Sequence, residues 1–128
     1  MSCLFDSLSY LLKDDLREHN ITDLREAVCN FMEDSSNKKI KGVKIKDWVS
    51  YSSDLPTKEY INHMRDNGEW GGGTEIAVAS KMFNVIINVL YRGEQIAKFD
   101  SCNRNPSKEI TLNYTGNHYE PNEVTYIY

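Results

Sequence analysis

Trp70-Gly71-Gly72-Gly73-Thr74-Glu75-Ile76-Ala77-Val78-Ala79-Ser80-Lys81-Met82-Phe83-Asn84-Val85-Ile86-Ile87-Asn88-Val89-Leu90-Tyr91 changes character near its middle. After the glycines, the stretch through Phe83 reads as an apolar helix. From Val85 the run turns β-branched and is long enough for a buried strand. Downstream, Arg92-Gly93-Glu94 predicts a turn, Gln95–Phe99 a paired strand, Ile110–Tyr114 another and Val124–Tyr128 a last short one. Upstream the pattern is helical. Leu4, Phe5, Leu8, Leu11 and Leu12 fall on one helical face, which puts Cys3 at or just before the first turn. Asp23 is an N-cap with Glu26 three residues later, and Leu24, Ala27, Val28, Phe31 and Met32 follow at helical spacing. Lys58–Arg65 predicts a short helix with Tyr60, Ile61 and Met64 on one side and Gly68 as a stop beyond it. Helices first and strands later define an α+β fold, with a mainly antiparallel sheet packed against helices.

The chain has 128 residues, enough for one hydrophobic core. With no repeat, low-complexity segment or Pro/Gly/Ser-rich linker, residues 1–128 are expected to form a single domain. Hydrophobic residues make up 40% and charged residues 27%, the balance of a globular chain rather than a disordered one. The net charge of −4 argues against a nucleic-acid partner. No apolar run approaches the roughly 18 residues that span a bilayer, so no membrane partner is expected. Asp6, Lys13, Asp14 and Asp15 interrupt the first apolar stretch, so a secretory leader is not expected and the expected location is the cytoplasm. Five lysines within residues 35–47 read as a solvated loop with a short edge strand, or as a patch for an anionic partner.

Cys3, Cys29 and Cys102 make an odd set without close spacing, which reads as free thiols in a reducing compartment. No CxxC or HxxxH pair occurs and His19, His63 and His118 are scattered, so neither a structural metal nor a cofactor is expected. Cys29, inside the second helix, reads as a packing residue or a bystander. Cys3 has two readings. At a helix start its thiolate meets the positive end of the helix and free backbone N–H groups, the setting of a nucleophile with an oxyanion hole; among Leu and Phe a cysteine is more often a small buried hydrophobe. His118 follows a strand and the turn Thr115-Gly116-Asn117, and it precedes Tyr119 and Glu120. It reads either as a surface loop histidine or as a base held in one tautomer by a nearby acceptor. The glycine triplet lacks the G-x-x-x-x-G-K-[ST] pattern of a phosphate loop. It is a groove wall for an extended peptide or a flexible connector.

Three blocks in order bear on these alternatives. Ser2-Cys3-Leu4-Phe5-Asp6-Ser7-Leu8 is similar to the nucleophile motif and helix of the ovarian-tumour (OTU) family of cysteine proteases, most of which remove ubiquitin. Tyr60 and Met64 ahead of Trp70-Gly71-Gly72, then Glu75 and the run into Val89, resemble that family's second block, and Gly116-Asn117-His118-Tyr119-Glu120-Pro121 resembles its His-Tyr ending. The resemblance implies Cys3 as nucleophile, His118 as general base and Glu120 at the position that orients the histidine, where the family usually has Asp or Asn; Asn117 is the alternative. It implies an oxyanion site at the amides of Met1, Ser2 and Cys3, and a narrow slot for a Gly-Gly tail bounded by Trp70, Gly71, Gly72 and Tyr119. Met1 falls at the glycine of the family's Asp-Gly pair, and the aspartate position lies before it. The implied partner is ubiquitin or polyubiquitin, or another ubiquitin-like modifier, and a monomer is expected. Short OTU domains of this kind occur in viral and cellular proteins, so the cytoplasm is a host's if the source is a virus. The implied activity is thiol-dependent hydrolysis of the (iso)peptide bond after the terminal Gly-Gly, with a ubiquitin-binding pseudoenzyme as the alternative.

Overall fold

The computed structural model describes residues 3–100 and 105–128. Six helices occur among them: α1 (Cys3–Leu11), α2 (Lys13–Glu18), α3 (Leu24–Asp34), α4 (Ile45–Ser52), α5 (Thr57–Met64) and α6 (Gly73–Phe83). The strands are β1 (Lys39–Ile40), β2 (Val43–Lys44), β3 (Val85–Tyr91), β4 (Glu94–Phe99), β5 (Lys108–Tyr114), β6 (Tyr119–Pro121) and β7 (Tyr126–Ile127).

The switch at Val85 is where the sequence places it. Asn84 takes a left-handed conformation (φ 53°, ψ 51°) that ends α6, and β3 starts at the next residue. Ile76 through Ser80 are all buried, so α6 has no polar face and lies inside the molecule, against α3, α4 and β3. β3 is likewise buried from Val85 through Val89 and forms the middle of the sheet. Arg92 and Gly93, with φ of +52° and +83°, make the two-residue turn into antiparallel β4.

The sheet order is β4-β3-β5-β6, with β7 also on β5. β4 runs back along one edge of β3, and β5 then lies along the other edge. Two reversals restore the direction, so β3 and β5 pair in parallel from Val85↔Lys108 to Tyr91↔Tyr114. The other pairings are antiparallel. β6 takes the end of β5 near Tyr114, and β7 takes the end near Lys108. The α+β architecture stands, but its central pair is parallel.

Helices α2 and α4 and strand β6 escaped the sequence pattern, and the short edge strand expected within residues 35–47 is a hairpin. Residues 35–47 hold a small β1/β2 hairpin, turned at Lys41 and Gly42 (φ +51° and +78°), and lead directly into α4. Helix α4 buries only Ile45 and Val49, a stripe too narrow to show in the sequence; Trp48 fastens it by donating its indole N–H to the Ile40 carbonyl at 3.1 Å. The buried stripe of α3 is also turned from the expected one. It holds Leu24, Arg25, Val28, Cys29 and Met32, while Phe31 is only partly covered.

The two ends of the chain meet. Helix α1 buries Leu4, Phe5 and Leu8 in the core and lies against β6. Ser7 donates from Oγ to the Tyr119 carbonyl at 3.1 Å, and the Tyr10 hydroxyl donates to Glu123 at 3.3 Å. No helix among the described residues is long and apolar enough to cross a membrane.

Candidate active site

Cys3 opens α1, is half-buried and carries a free thiol. His118 sits one residue before β6, at the end of a tight turn from β5. That turn is built by Gly116, whose φ of +105° favours glycine, by the Thr115 amide donating to the His118 carbonyl at 2.9 Å, and by the Tyr114 hydroxyl donating to the Gly116 carbonyl at 2.6 Å. Because α1 packs on β6, the thiol and the imidazole line the same open groove of about 360 Å³, together with Asp6, Ser7, Tyr10, Tyr119, Glu120 and Pro121. Nε2 of His118 stands 3.6 Å from Oε1 of Glu120, longer than a hydrogen bond, and the two side chains are 43% and 56% exposed.

A second space of about 200 Å³ opens on Cys3, bounded by Leu4, Trp70, Gly71, Gly72, Tyr114, Asn117 and Tyr119. Cys3 and Tyr119 border both spaces. Asn117 faces the second space, and its Oδ1 accepts from the Thr115 hydroxyl at 3.2 Å. The expected residues Cys3, His118, Glu120, Trp70, Gly71, Gly72, Asn117 and Tyr119 therefore surround two adjoining cavities. Met1 and Ser2, expected at the oxyanion site, lie outside the described residues, as does Cys102.

The wall carrying Trp70 is shaped by close backbone approach. A Cβ on Gly71 would stand 2.7 Å from Cδ2 of Leu4 and 3.0 Å from Cε2 of Phe5, so glycine lets this wall close onto the cysteine helix. A Cβ on Gly72 would meet nothing within 4 Å. Trp70 itself is 67% exposed and stands at the mouth.

Behind the wall lie buried charges. Glu75 accepts the Gly72 amide at 2.7 Å and the Tyr60 hydroxyl at 2.6 Å. Burial, the largest influence, holds its carboxyl above the ordinary range, and these hydrogen bonds oppose that rise. Burial, and then the neighbouring Glu75, push the Tyr60 phenol up as well. Arg25 is the residue the sequence reading missed. Between Leu24 and Glu26 on an amphipathic helix it reads as solvent-facing, yet it is buried against Phe5 and two backbone carbonyls. The one available signal was its i,i+4 relation to Cys29, which shares the buried stripe. Cys29 is fully buried, and burial pushes its thiol up to about 11, so it is a packing residue. No group of three or more His, Cys, Asp or Glu among the described residues is arranged to hold a metal ion.

A thiol at a helix start and an imidazole at a strand start, sharing one groove of an α+β fold, is the layout of cysteine proteases as a class. The chain belongs to the OTU-like cysteine protease family, whose profile matches residues 2–123. OTU domain-containing protein 2 of Saccharomyces cerevisiae (strain ATCC 204508 / S288c) is 28% identical over 129 aligned residues, covering 91% of this chain and 38% of that protein. The chain thus spans well under half the length of that relative. Among solved structures, an OTU domain in complex with ubiquitin matches with a TM-score of 0.61 at 24% identity, covering 98% of this chain and 67% of that one. The viral OTU domain protease from Dera Ghazi Khan virus matches with a TM-score of 0.61 at 19% identity, covering 98% and 74%. At these identities the likeness is one of fold.

Proposed function

We propose that the chain hydrolyses the (iso)peptide bond that follows the C-terminal Gly-Gly of ubiquitin, through a thioester on Cys3. The observation that carries this reading is that Cys3 borders both cavities. One offers the imidazole of His118, and the other is a slot bordered by Trp70, Gly71 and Gly72. An extended Gly-Gly tail, which carries no side chain, suits a space of about 200 Å³ beside Cys3. The ubiquitin bound to the OTU domain of similar fold supports the choice of substrate.

The Cys3 sulfur attacks the glycine carbonyl carbon, and the carbonyl π pair moves onto oxygen. The developing negative charge faces the positive end of α1, where the Cys3 amide is among the available donors. With Nε2 turned toward Glu120, Nδ1 is the His118 nitrogen left to serve the thiol. It takes the thiol proton and hands it to the lysine amine as the C–N bond breaks. Water then attacks the thioester, His118 accepts its proton, and the Cys3 thiolate leaves.

The 3.6 Å gap between His118 and Glu120 favours a second reading, binding of ubiquitin without turnover, because a loosely held imidazole is a poor base. A ubiquitin C-terminal electrophile and a fluorogenic ubiquitin substrate separate the two. Adduct at Cys3 with steady turnover supports the hydrolase. Tight ubiquitin binding with neither adduct nor turnover refutes it. The same assay with another ubiquitin-like modifier tests the substrate, and an equal or reversed preference would overturn the choice of ubiquitin.

A further inference from the structure

The Trp70 wall is gripped at both ends by polar, ionisable side chains that have almost no access to solvent. On its upstream side Arg25, 4% exposed, donates from Nη1 to the Met64 carbonyl at 2.7 Å and from Nη2 to the Glu69 carbonyl at 2.8 Å. Its guanidinium carbon lies 4.4 Å from the centre of the Phe5 ring, on the cysteine helix. On the downstream side Glu75, 1% exposed, accepts the Gly72 amide at 2.7 Å. The two grips sit on Glu69 and Gly72 and enclose Trp70 and Gly71, the residues that touch the slot and the start of α1.

Taking a guanidinium and a carboxylate out of water is expensive, and apolar side chains of similar volume close a loop with less desolvation. What charged groups supply is position. A guanidinium fork binds two carbonyls only at one spacing, and a carboxylate fixes an amide along a short, directed bond. The ring of Phe5 under Arg25 ties that position to the cysteine helix.

We propose that Arg25 and Glu75 are positioning residues, a two-ended brace that sets the distance between the Trp70–Gly72 wall and the start of α1. The brace thereby enforces glycine at the substrate residue whose carbonyl is attacked. This rests on the cysteine-hydrolase reading and extends it to substrate selection. Neither residue borders the Cys3–His118 groove. Their effect passes through the backbone of Glu69 and Gly72.

The test compares wild type with Arg25→Lys on two fluorogenic ubiquitin substrates, one ending in Gly-Gly and one in Gly-Ala. Lysine keeps the charge but cannot span both carbonyls. A methyl group in a tight slot is discriminated by about 10–200-fold, and Arg25→Lys is expected to cut the kcat/KM preference for glycine by about tenfold or more. Loss of stability alone would lower both rates and leave their ratio unchanged. Glu75→Gln, which leaves one acceptor oxygen where the carboxyl group takes both the Gly72 amide and the Tyr60 hydroxyl, repeats the comparison from the other end and carries the test if Arg25→Lys does not fold. A folded variant with the wild-type ratio overturns the brace. If the wild type cleaves neither substrate, the hydrolase reading fails. The brace is then judged by hydrogen exchange: the Gly71 and Gly72 amides must exchange faster in the variants than in wild type, relative to the core of α6, and equal protection refutes it.

Discussion

Replacing Gly71 by alanine tests the closest contact at the site. The new Cβ would stand 2.7 Å from Leu4 Cδ2 and 3.0 Å from Phe5 Cε2, against ordinary contact at 3.4–4 Å. Leu4 is 1% and Phe5 3% exposed, Phe5 is also pinned beneath Arg25, and the space that Leu4 borders is the one beside Cys3, so relief of the clash disturbs the site. Overpacking of this kind costs about 1–3 kcal/mol. With a urea m-value of about 2 kcal/mol/M, the unfolding midpoint of Gly71→Ala should fall by about 0.5–1.5 M. Gly72→Ala is the internal control. Its Cβ meets nothing within 4 Å, and its φ of −149° suits any residue. Losing glycine at the N-cap should cost under about 1 kcal/mol. Turnover should fall in Gly71→Ala beyond what stability explains, because relief of the clash must move either the wall or the first turn of α1, where Cys3 sits. An unchanged urea midpoint with full turnover in Gly71→Ala would refute the close-approach argument, and so would equal destabilisation by the two alanines.

The remaining predictions concern the thiols, the base and the buried acid. Cys3→Ala should abolish turnover while changing stability by less than about 1 kcal/mol, read by steady-state assay and urea titration, since a half-buried thiol contributes little packing. His118→Ala should approach the same loss of turnover, whereas Glu120→Ala should lose less; full activity in Glu120→Ala assigns the orienting role elsewhere. Under native conditions near neutral pH, iodoacetamide should label Cys3 and spare Cys29, which is fully buried with its thiol pushed up to about 11; peptide mass mapping before and after unfolding checks this. Burial holds the Glu75 carboxyl above its ordinary value, so the stability linked to its protonation is present below the unfolded pKa and lost as pH rises through the folded one. Glutamine has no proton to lose. The stability of Glu75→Gln relative to wild type should therefore rise as pH climbs above the ordinary glutamate value of about 4.3, and a flat or falling difference would contradict the direction of the shift.

Much of the fold was legible because its strongest signals are local. Asp23 caps α3 by accepting the Glu26 amide at 3.1 Å, as their spacing predicts. The change at Val85 marks the boundary between α6 and β3, and Arg92-Gly93 marks the next turn. Helix α4 stayed hidden because two buried residues do not make a visible stripe. The parallel pairing of β3 with β5 was hidden for another reason. A strand's own residues do not say on which edge of its neighbour it will lie. Arg25 went unnoticed because periodicity counts a charge as solvent-facing unless something compensates its burial. Its compensation comes from Phe5, Met64 and Glu69, all distant in sequence.

The sequence by itself determined the longer helices and strands, the α+β class and the family, because helix caps, β-branched runs and motif blocks are properties of neighbouring residues. Tertiary structure decided the rest. The packing of α1 on β6 places Cys3 and His118, 115 positions apart in the numbering, in one groove. The hydrogen bonds from Arg25 to the Glu69 carbonyl and from the Gly72 amide to Glu75 hold the Trp70 wall at its two ends. Both depend on contacts between residues far apart along the chain, which form only when the apolar faces of α1, α3 and α6 are buried together, and no local pattern encodes the distance between two such faces.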